Sequence, residues 1–295
     1  MKVGFVGLGI MGGHMARHLA GAHDIVVFDV DEAKMTAVTS GEGVRAGTRA
    51  AESLTELGSE CDVVLLSLPA SPIVEAVVTG AGGLIETLAA GSLVVDTSTT
   101  EPAITLALAA TLEAKGIGFI DAPVSGGEGG AKAAKLSIMV GGPEDLVERA
   151  RPLLEVIGAS VVRVGDVGAG EVAKLVNNMI VGSAFGVIAE SFALGKKMGL
   201  DPKVLYEAIR GGWAGSAVLD VAAPGIVERN FVPGGSVDVL FKDIGYALSL
   251  ARQNNVPTPM TAVVDEIFKA ARASGRGPQA QQVIIQLWED LLGLE

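Results

Sequence analysis

Lys2-Val3-Gly4-Phe5-Val6-Gly7-Leu8-Gly9-Ile10-Met11-Gly12-Gly13 is the stretch that decides the fold. Lys2–Val6 has the β-branched and aromatic content of a short strand, and Gly7-Leu8-Gly9-Ile10-Met11-Gly12 follows it directly and opens a helical pattern. The three glycines permit a tight turn, close approach of a pyrophosphate and close packing of helix on strand, while the helix N-terminus offers free N–H groups and a partial positive charge. A G-x-G-x-x-G pattern alone is a weak signal. Its position between a strand and a helix makes it a strong indication of a dinucleotide site.

The next strand ends Val26-Val27-Phe28-Asp29-Val30-Asp31, which puts Asp29 about 22 residues past Gly7. An acid there accepts hydrogen bonds from the adenosine ribose hydroxyls and repels a 2′-phosphate. No Arg follows it, and Lys34 lies a turn into the next helix, so NAD is expected in preference to NADP. Asp31, just before Glu32, reads as the cap of that helix.

Outward from this unit, strand patterns recur at 2–6, 25–29, 62–67, 92–96, 116–121, 136–141 and 160–164, with helical stretches such as 101–115 and 143–157 between them. Such alternation implies a doubly wound α/β domain over residues 1–164, its mainly parallel sheet covered by helices on both faces. After Gly165–Gly170 the patterns become helical: Glu171–Met198, Pro202–Arg210, Ser216–Val227, Val237–Gln253, Pro259–Ser274 and Pro278–Leu292. Residues 165–295 are therefore expected to form an all-helical domain. The helix at 171–198 would span roughly 40 Å, long enough to join the domains or pack in a dimer. Gly182 and Gly186 within it permit close helix approach.

The chain has 295 residues, enough for about two domains. Its 34 acidic against 22 basic residues give a net charge of −12, which repels nucleic acid. No apolar run reaches the length of a membrane span, and no signal segment precedes Lys2, so a cytosolic location is expected. Cys61, the single cysteine, reads as a small buried thiol. His14, His18 and His23 lack the carboxylate or thiol partners of a metal site; His14 and His18, four apart on the first helix, are expected on a solvated or half-buried face. No metal is inferred.

Ligands of open α/β sheets lie beyond the carboxyl ends of the strands, which brings Leu68-Pro69-Ala70 and Asp96-Thr97-Ser98-Thr99 into consideration. The hydroxyls of Ser98 or Thr99 could equally cap the helix near Glu101. Asp121-Ala122-Pro123-Val124-Ser125-Gly126-Gly127 ends a further strand, and its Ser-Gly-Gly turn exposes N–H groups able to hold a carboxylate. Lys174, Asn177 and Asn178 share one face of the long helix, and a lysine and two amides in an apolar run call for partners. The residues alone leave two readings open, a chemical site and a hydrogen-bonded interdomain contact.

Taken together, Gly7–Gly12, Asp121–Gly127, Gly170-x-x-x-Lys174-x-x-Asn177-Asn178 and Lys242-Asp243 resemble the β-hydroxyacid dehydrogenase family over nearly the whole chain. The resemblance implies that Lys174 is the catalytic acid/base and that Asn178 helps to hold substrate and lysine. It further implies that Ser125, Gly126 and Gly127 bind the substrate carboxylate and that Leu68, Pro69, Thr99 and Lys242 line the cofactor. A neutral Lys174 in the oxidative direction calls for a depressed pKa. Residues 211–220, 229–234 and 258–262 resemble most closely the branch that interconverts tartronate semialdehyde and glycerate. The chain departs from that branch at Trp213, at the tail 278–282 and in lacking an Arg after Asp29. The commoner fate of a lone Trp is core filling. 3-Hydroxyisobutyrate, 4-hydroxybutyrate, threonate and hydroxymethylglutarate stay open as substrates. Imine reduction and a non-catalytic nucleotide-binding role are the other classes, against which the intact Lys174, Asn178 and Ser-Gly-Gly turn speak. A homodimer or homotetramer is expected.

Overall fold

The computed structural model describes residues 1–294. Its contacts divide the chain into two units, Met1–Lys174 and Leu175–Glu295.

In the first unit β1 (Val3–Val6), α1 (Ile10–Ala22), β2 (Ile25–Phe28), α2 (Glu32–Thr39), β3 (Arg49–Ala50), α3 (Leu54–Glu60), β4 (Val63–Leu66), α4 (Ser71–Thr79), β5 (Leu93–Asp96), α5 (Pro102–Glu113) and β6 (Gly118–Asp121) alternate along the chain. There follow β7 (Val124–Ser125), α6 (Gly127–Lys132), β8 (Leu136–Gly141), α7 (Glu144–Ile157), β9 (Gly158–Gly165) and the start of α8 (Ala169–Lys197). The nine strands form one sheet in the order β3-β2-β1-β4-β5-β6-β8-β7, with β9 on β8. The run from β3 to β6 is parallel, and β8 pairs antiparallel with β6 and β7. Two strands, β3 and β7, escape the sequence reading because two residues each are too few to show a period.

Side chains alternate across a strand, and here both alternating sets are apolar. Val3, Phe5, Val63, Leu65, Leu93 and Val95 enter one core with Met15, Leu19 and Leu154. Val6, Val64, Leu66 and Val94 enter another on the opposite face with Leu57, Val74, Leu108 and Leu112. At about 1.5–3 kcal/mol for each fully buried large aliphatic side chain, burial on both faces holds the sheet between two helical layers. Because β1, β2, β4, β5 and β6 run parallel, Gly7, Asp29, Leu68, Thr97 and Asp121 all come at the same, carboxyl edge.

The second unit holds the remainder of α8, α9 (Pro202–Ile209), α10 (Ala217–Val227), α11 (Val237–Gln253), α12 (Pro259–Ala273) and α13 (Ile285–Leu292). Its core gathers Phe185, Phe192, Leu219, Leu240, Ile244, Val264, Phe268 and Ile284. Gly182 belongs to this packing: a Cβ there would lie 2.9 Å from Ile244 Cδ1 on α11. By length and composition α8 could cross a membrane, but it places Phe185, Ala189, Phe192 and Ala193 in this core. Buried Glu289 on α13 accepts hydrogen bonds from Lys196 Nζ (2.9 Å) and Arg229 Nη1 (2.7 Å).

Three expectations need correction. The helix expected over 278–292 starts only at Gln281 as a short 3-10 turn and becomes α-helical at Ile285, because the preceding backbone pairs elsewhere: Ala280 N–H donates to Phe231 O and Val237 N–H to Gln279 O. Trp213 fills no core, being fully exposed in the glycine-rich segment between α9 and α10. Neither Ser98 nor Thr99 caps α5, whose cap position is Glu101 with no side-chain cap bond; the Ser98 hydroxyl is used by Leu68 instead.

Candidate active site

The site starts at the β1–α1 turn. Gly7 has φ +91°, and a Cβ on it would lie 2.3 Å from Ser67 O; a Cβ on Gly12 would lie 2.0 Å from Gly7 O. Both glycines are thus required by the fold of the turn itself. A Cβ on Gly9 would meet nothing within 4 Å, so this glycine leaves open space at the N-terminus of α1. No side chain caps that terminus, and the first N–H groups of a helix have no partner within the helix. An open cradle with free donors suits a pyrophosphate.

Asp29 braces the same turn. Its Oδ2 accepts from Leu8 N–H at 2.6 Å and its Oδ1 from Asp31 N–H at 2.9 Å, while Val30 beside it is 95% exposed. Asp31 caps α2 by accepting from Ala33 N–H. Lys34, a turn into α2, extends its flexible stem so that Nζ lies 3.8 Å from Asp29 Oδ1 and 3.7 Å from Asp31 Oδ2. Further along the edge, Leu68 N–H donates to Ser98 Oγ at 2.9 Å, and Ser98 N–H to Asp96 Oδ1 at 3.0 Å. The segments carrying Leu68-Pro69 and Thr99 are thereby fastened to each other.

Asp121 ends β6 fully buried. Its Oδ1 accepts from Gly168 N–H at 2.7 Å and its Oδ2 from Glu171 N–H at 2.9 Å, at the start of α8. Burial outweighs these bonds and pushes its carboxyl up to about 6. Four residues on, Ser125 pairs with Ser137, and Gly126 (φ +138°) and Gly127 (φ +60°) carry the chain into α6. His18 on α1 reaches this helix, its Nε2 3.1 Å from both Ala131 O and Lys132 O; His14 Nε2 stands 3.5 Å from Glu128 Oε1. The half-buried histidines therefore serve the contact of α1 with α6.

Lys174 stands on α8 with only 9% of its surface exposed. In the second unit, Asn178 Nδ2 donates to Asp243 Oδ2 at 2.7 Å, Asn177 Nδ2 donates to Asn178 Oδ1 at 2.9 Å, and Lys242 Nζ lies 2.8 Å from Asp243 Oδ1. Lys242 Nζ also sits 4.7 Å from the centre of the Tyr246 ring. Asp243 is buried and joins two expected site residues, Asn178 and Lys242. The sequence shows Asp243 beside Lys242 but not the link to Asn178, which lies 65 positions away. Cys61 is buried in the sheet's second core, and burial pushes its thiol up to about 12, which disfavours the reactive thiolate.

A parallel sheet with a glycine turn between its first strand and first helix, an acid directly after its second strand and a helical second unit has the build of a nicotinamide-dinucleotide-dependent oxidoreductase. Comparison with known proteins agrees. The NAD binding domain of 6-phosphogluconate dehydrogenase matches residues 2–165, and the NAD-binding region of NADP-dependent 3-hydroxyisobutyrate dehydrogenase matches residues 168–288. The chain is 38% identical over 296 residues to 2-(hydroxymethyl)glutarate dehydrogenase of Eubacterium barkeri, covering 100% of this chain and 97% of that one. It is 34% identical to 2-hydroxy-3-oxopropionate reductase of Escherichia coli, covering 98% and 97%. The solved structure of Mycobacterium tuberculosis 3-hydroxyisobutyrate dehydrogenase with L-serine superposes with a TM-score of 0.86 at 30% identity, covering 97% and 98%. The chain belongs to the β-hydroxyacid dehydrogenase family, whose members include 3-hydroxyisobutyrate dehydrogenase and 2-hydroxy-3-oxopropionate reductase. It is an NAD(P)-dependent oxidoreductase acting on the CH–OH group of hydroxy acids.

Proposed function

We propose that the protein interconverts a small 3-hydroxy acid and its semialdehyde, with tartronate semialdehyde and glycerate as the first candidate pair and Lys174 as the proton-transfer residue. The relatives named above act on 2-(hydroxymethyl)glutarate, 2-hydroxy-3-oxopropionate and 3-hydroxyisobutyrate. These share a hydroxymethyl or aldehyde carbon attached to the carbon that bears a carboxylate, and differ in the third substituent. That shared unit needs one anion-binding turn and one proton donor. The observation that carries the reading is that buried Asp121 both begins the 121–127 segment and binds by its carboxylate the start of the helix bearing Lys174, so the two segments are tied at one residue.

When bound, NADH supplies the hydride; Gly7–Gly12 and Asp29 hold its pyrophosphate and ribose, and Leu68, Pro69, Thr99 and Lys242 line it. Ser125 Oγ and the N–H groups of Gly126 and Gly127 take the substrate carboxylate. Lys174, as the ammonium, stabilises the developing alkoxide and donates its proton; in the reverse direction the neutral amine accepts the hydroxyl proton. Asn178, its amide held by Asp243, orients substrate and lysine. The acid at Asp29 favours NAD over NADP. The enzyme works in the cytosol and as a homo-oligomer, the latter supported by Ile180, Val187 and Leu194, which α8 leaves more than half exposed.

The test is loss of NADH absorbance with tartronate, methylmalonate and succinate semialdehydes and 2-formylglutarate, run beside Lys174→Ala. Turnover of a 2-substituted semialdehyde by wild type and its loss in the variant support the reading. Binding of NADH without turnover of any semialdehyde, or of the matching hydroxy acids with NAD, refutes it.

A further inference from the structure

We propose that Asp121 and Glu171 are positioning residues for Lys174, clamping the first turn of α8 from two sides and thereby fixing the direction and depth of the lysine side chain. This rests on the reading of Lys174 as the proton-transfer residue.

The N–H groups opening a helix are ordinarily satisfied by water or by a Ser, Thr, Asp or Asn immediately before it. Here the cap is a buried carboxylate from a strand 47 to 50 positions earlier, bonded to Gly168 N–H and Glu171 N–H. Space has been left for it: a Cβ on Gly141 would lie 2.5 Å from Asp121 Oδ1, and one on Gly170 would lie 2.8 Å from Oδ2 and 2.4 Å from Met139 O. Helix, strand and glycines thus form one fitted joint, one turn before Lys174.

The second side of the clamp is Glu171. It is fully buried, and its Oε1 accepts from Thr100 Oγ1 at 3.0 Å, Thr100 being also 2.7 Å from Thr105 Oγ1. Glu171 Oε2 has no hydrogen-bond partner among the described residues. Thr100 follows Thr99 directly, so Glu171 ties the helix to the segment expected to line the cofactor, as Asp121 ties it to the turn expected to hold the substrate carboxylate. Asp96 pairs in register with Asp121, which makes three acids at this corner. Burying acids together is costly. Burial, with Asp96 next, drives the Glu171 carboxyl well above its ordinary range, so the clamp favours a neutral glutamic acid. A simple helix start would need neither acid, whereas a lysine that must meet both cofactor and substrate needs its helix tied to both.

Steady-state kinetics on full-length Asp121→Asn, Thr100→Val, Lys174→Ala and the Asp121→Asn/Lys174→Ala double variant tests this, with tartronate semialdehyde and NADH well below each melting temperature. Asparagine keeps an acceptor for one N–H but turns an amide toward the other. Asp121→Asn should lower kcat by about ten- to hundredfold, the size of effect that sub-ångström to ångström misplacement produces, with KM and the NADH dissociation constant changed less than about threefold. The loss should nearly vanish in the Lys174→Ala background, since a residue acting through the lysine has nothing left to position. Thr100→Val, which removes the hydroxyl donor to Glu171 without touching Asp121, should lower kcat with KM unchanged and covers the case in which Asp121→Asn does not fold. Wild-type kcat in folded Asp121→Asn, equal losses in both backgrounds, or wild-type kcat in Thr100→Val overturns the proposal. Full activity of Lys174→Ala would instead refute the reading beneath it.

Discussion

Gly9 and Gly12 stand in one motif for different physical reasons, and alanine should separate them. A Cβ on Gly9 meets nothing within 4 Å, and the backbone there (φ −63°, ψ −166°) suits any residue. Gly9→Ala should therefore fold as well as wild type, or be more stable by about 0.4–1 kcal/mol through a less flexible unfolded chain. The new methyl occupies the space in which a pyrophosphate would approach. Overpacking of a close contact costs about 1–3 kcal/mol, which corresponds to roughly a 5- to 150-fold weaker NADH dissociation constant. Gly12→Ala puts a methyl 2.0 Å from Gly7 O, so the turn must move by more than an ångström. It should lose both melting temperature and NADH affinity. Thermal melts and NADH fluorescence titrations of both variants decide. Gly9→Ala that binds NADH within about twofold of wild type, with its fold intact, would refute the placement of the pyrophosphate.

Asp243→Ala should lower kcat, because Asn178 loses its acceptor and Lys242 its ion-pair partner, and should cost about 3–5 kcal/mol, as loss of one partner of a buried pair does; unchanged kinetics in a folded variant would contradict this. Cys61, with its thiol at about 12, should be only roughly one part in ten thousand thiolate near pH 8, so iodoacetamide should label it only after unfolding, and rapid native labelling would show the site wrongly described. Glu171 has a folded-state pKa above its unfolded value, so its contribution to stability is present at low pH and lost as pH rises through the folded value. Melting temperatures of Glu171→Gln should accordingly improve relative to wild type from about pH 5 to about pH 8; a constant or reversed gap would refute the assignment.

The fold was legible wherever a local pattern had enough residues to repeat. Val63–Leu66 and Leu93–Asp96 show themselves as apolar runs, and Val237–Gln253 has the same bounds in sequence and structure. The glycine turn was legible because each glycine answers a backbone need visible from its neighbours. Long-range links left no local trace. The cap of α8 comes from Asp121, the partner of Asn178 is Asp243, and Ser98 spends its hydroxyl on Leu68; each is set by strand register or helix packing. The reach of Lys34 to Asp29 left no trace either, because sequence position fixes its Cα and says nothing of where a flexible stem carries the ammonium. The residue type of Trp213 favours a core place, and only tertiary structure shows it exposed.

The central claim is hydride exchange at the carbinol carbon with proton transfer by Lys174. Its most direct test is reduction of tartronate semialdehyde with NADH deuterated at the transferring position, followed by mass spectrometry of the product. The account predicts glycerate one mass unit heavier from wild type, with deuterium on the hydroxymethyl carbon, and the same product formed far more slowly by Lys174→Ala. Glycerate formed without deuterium, or deuterated glycerate formed as fast by Lys174→Ala, would contradict it.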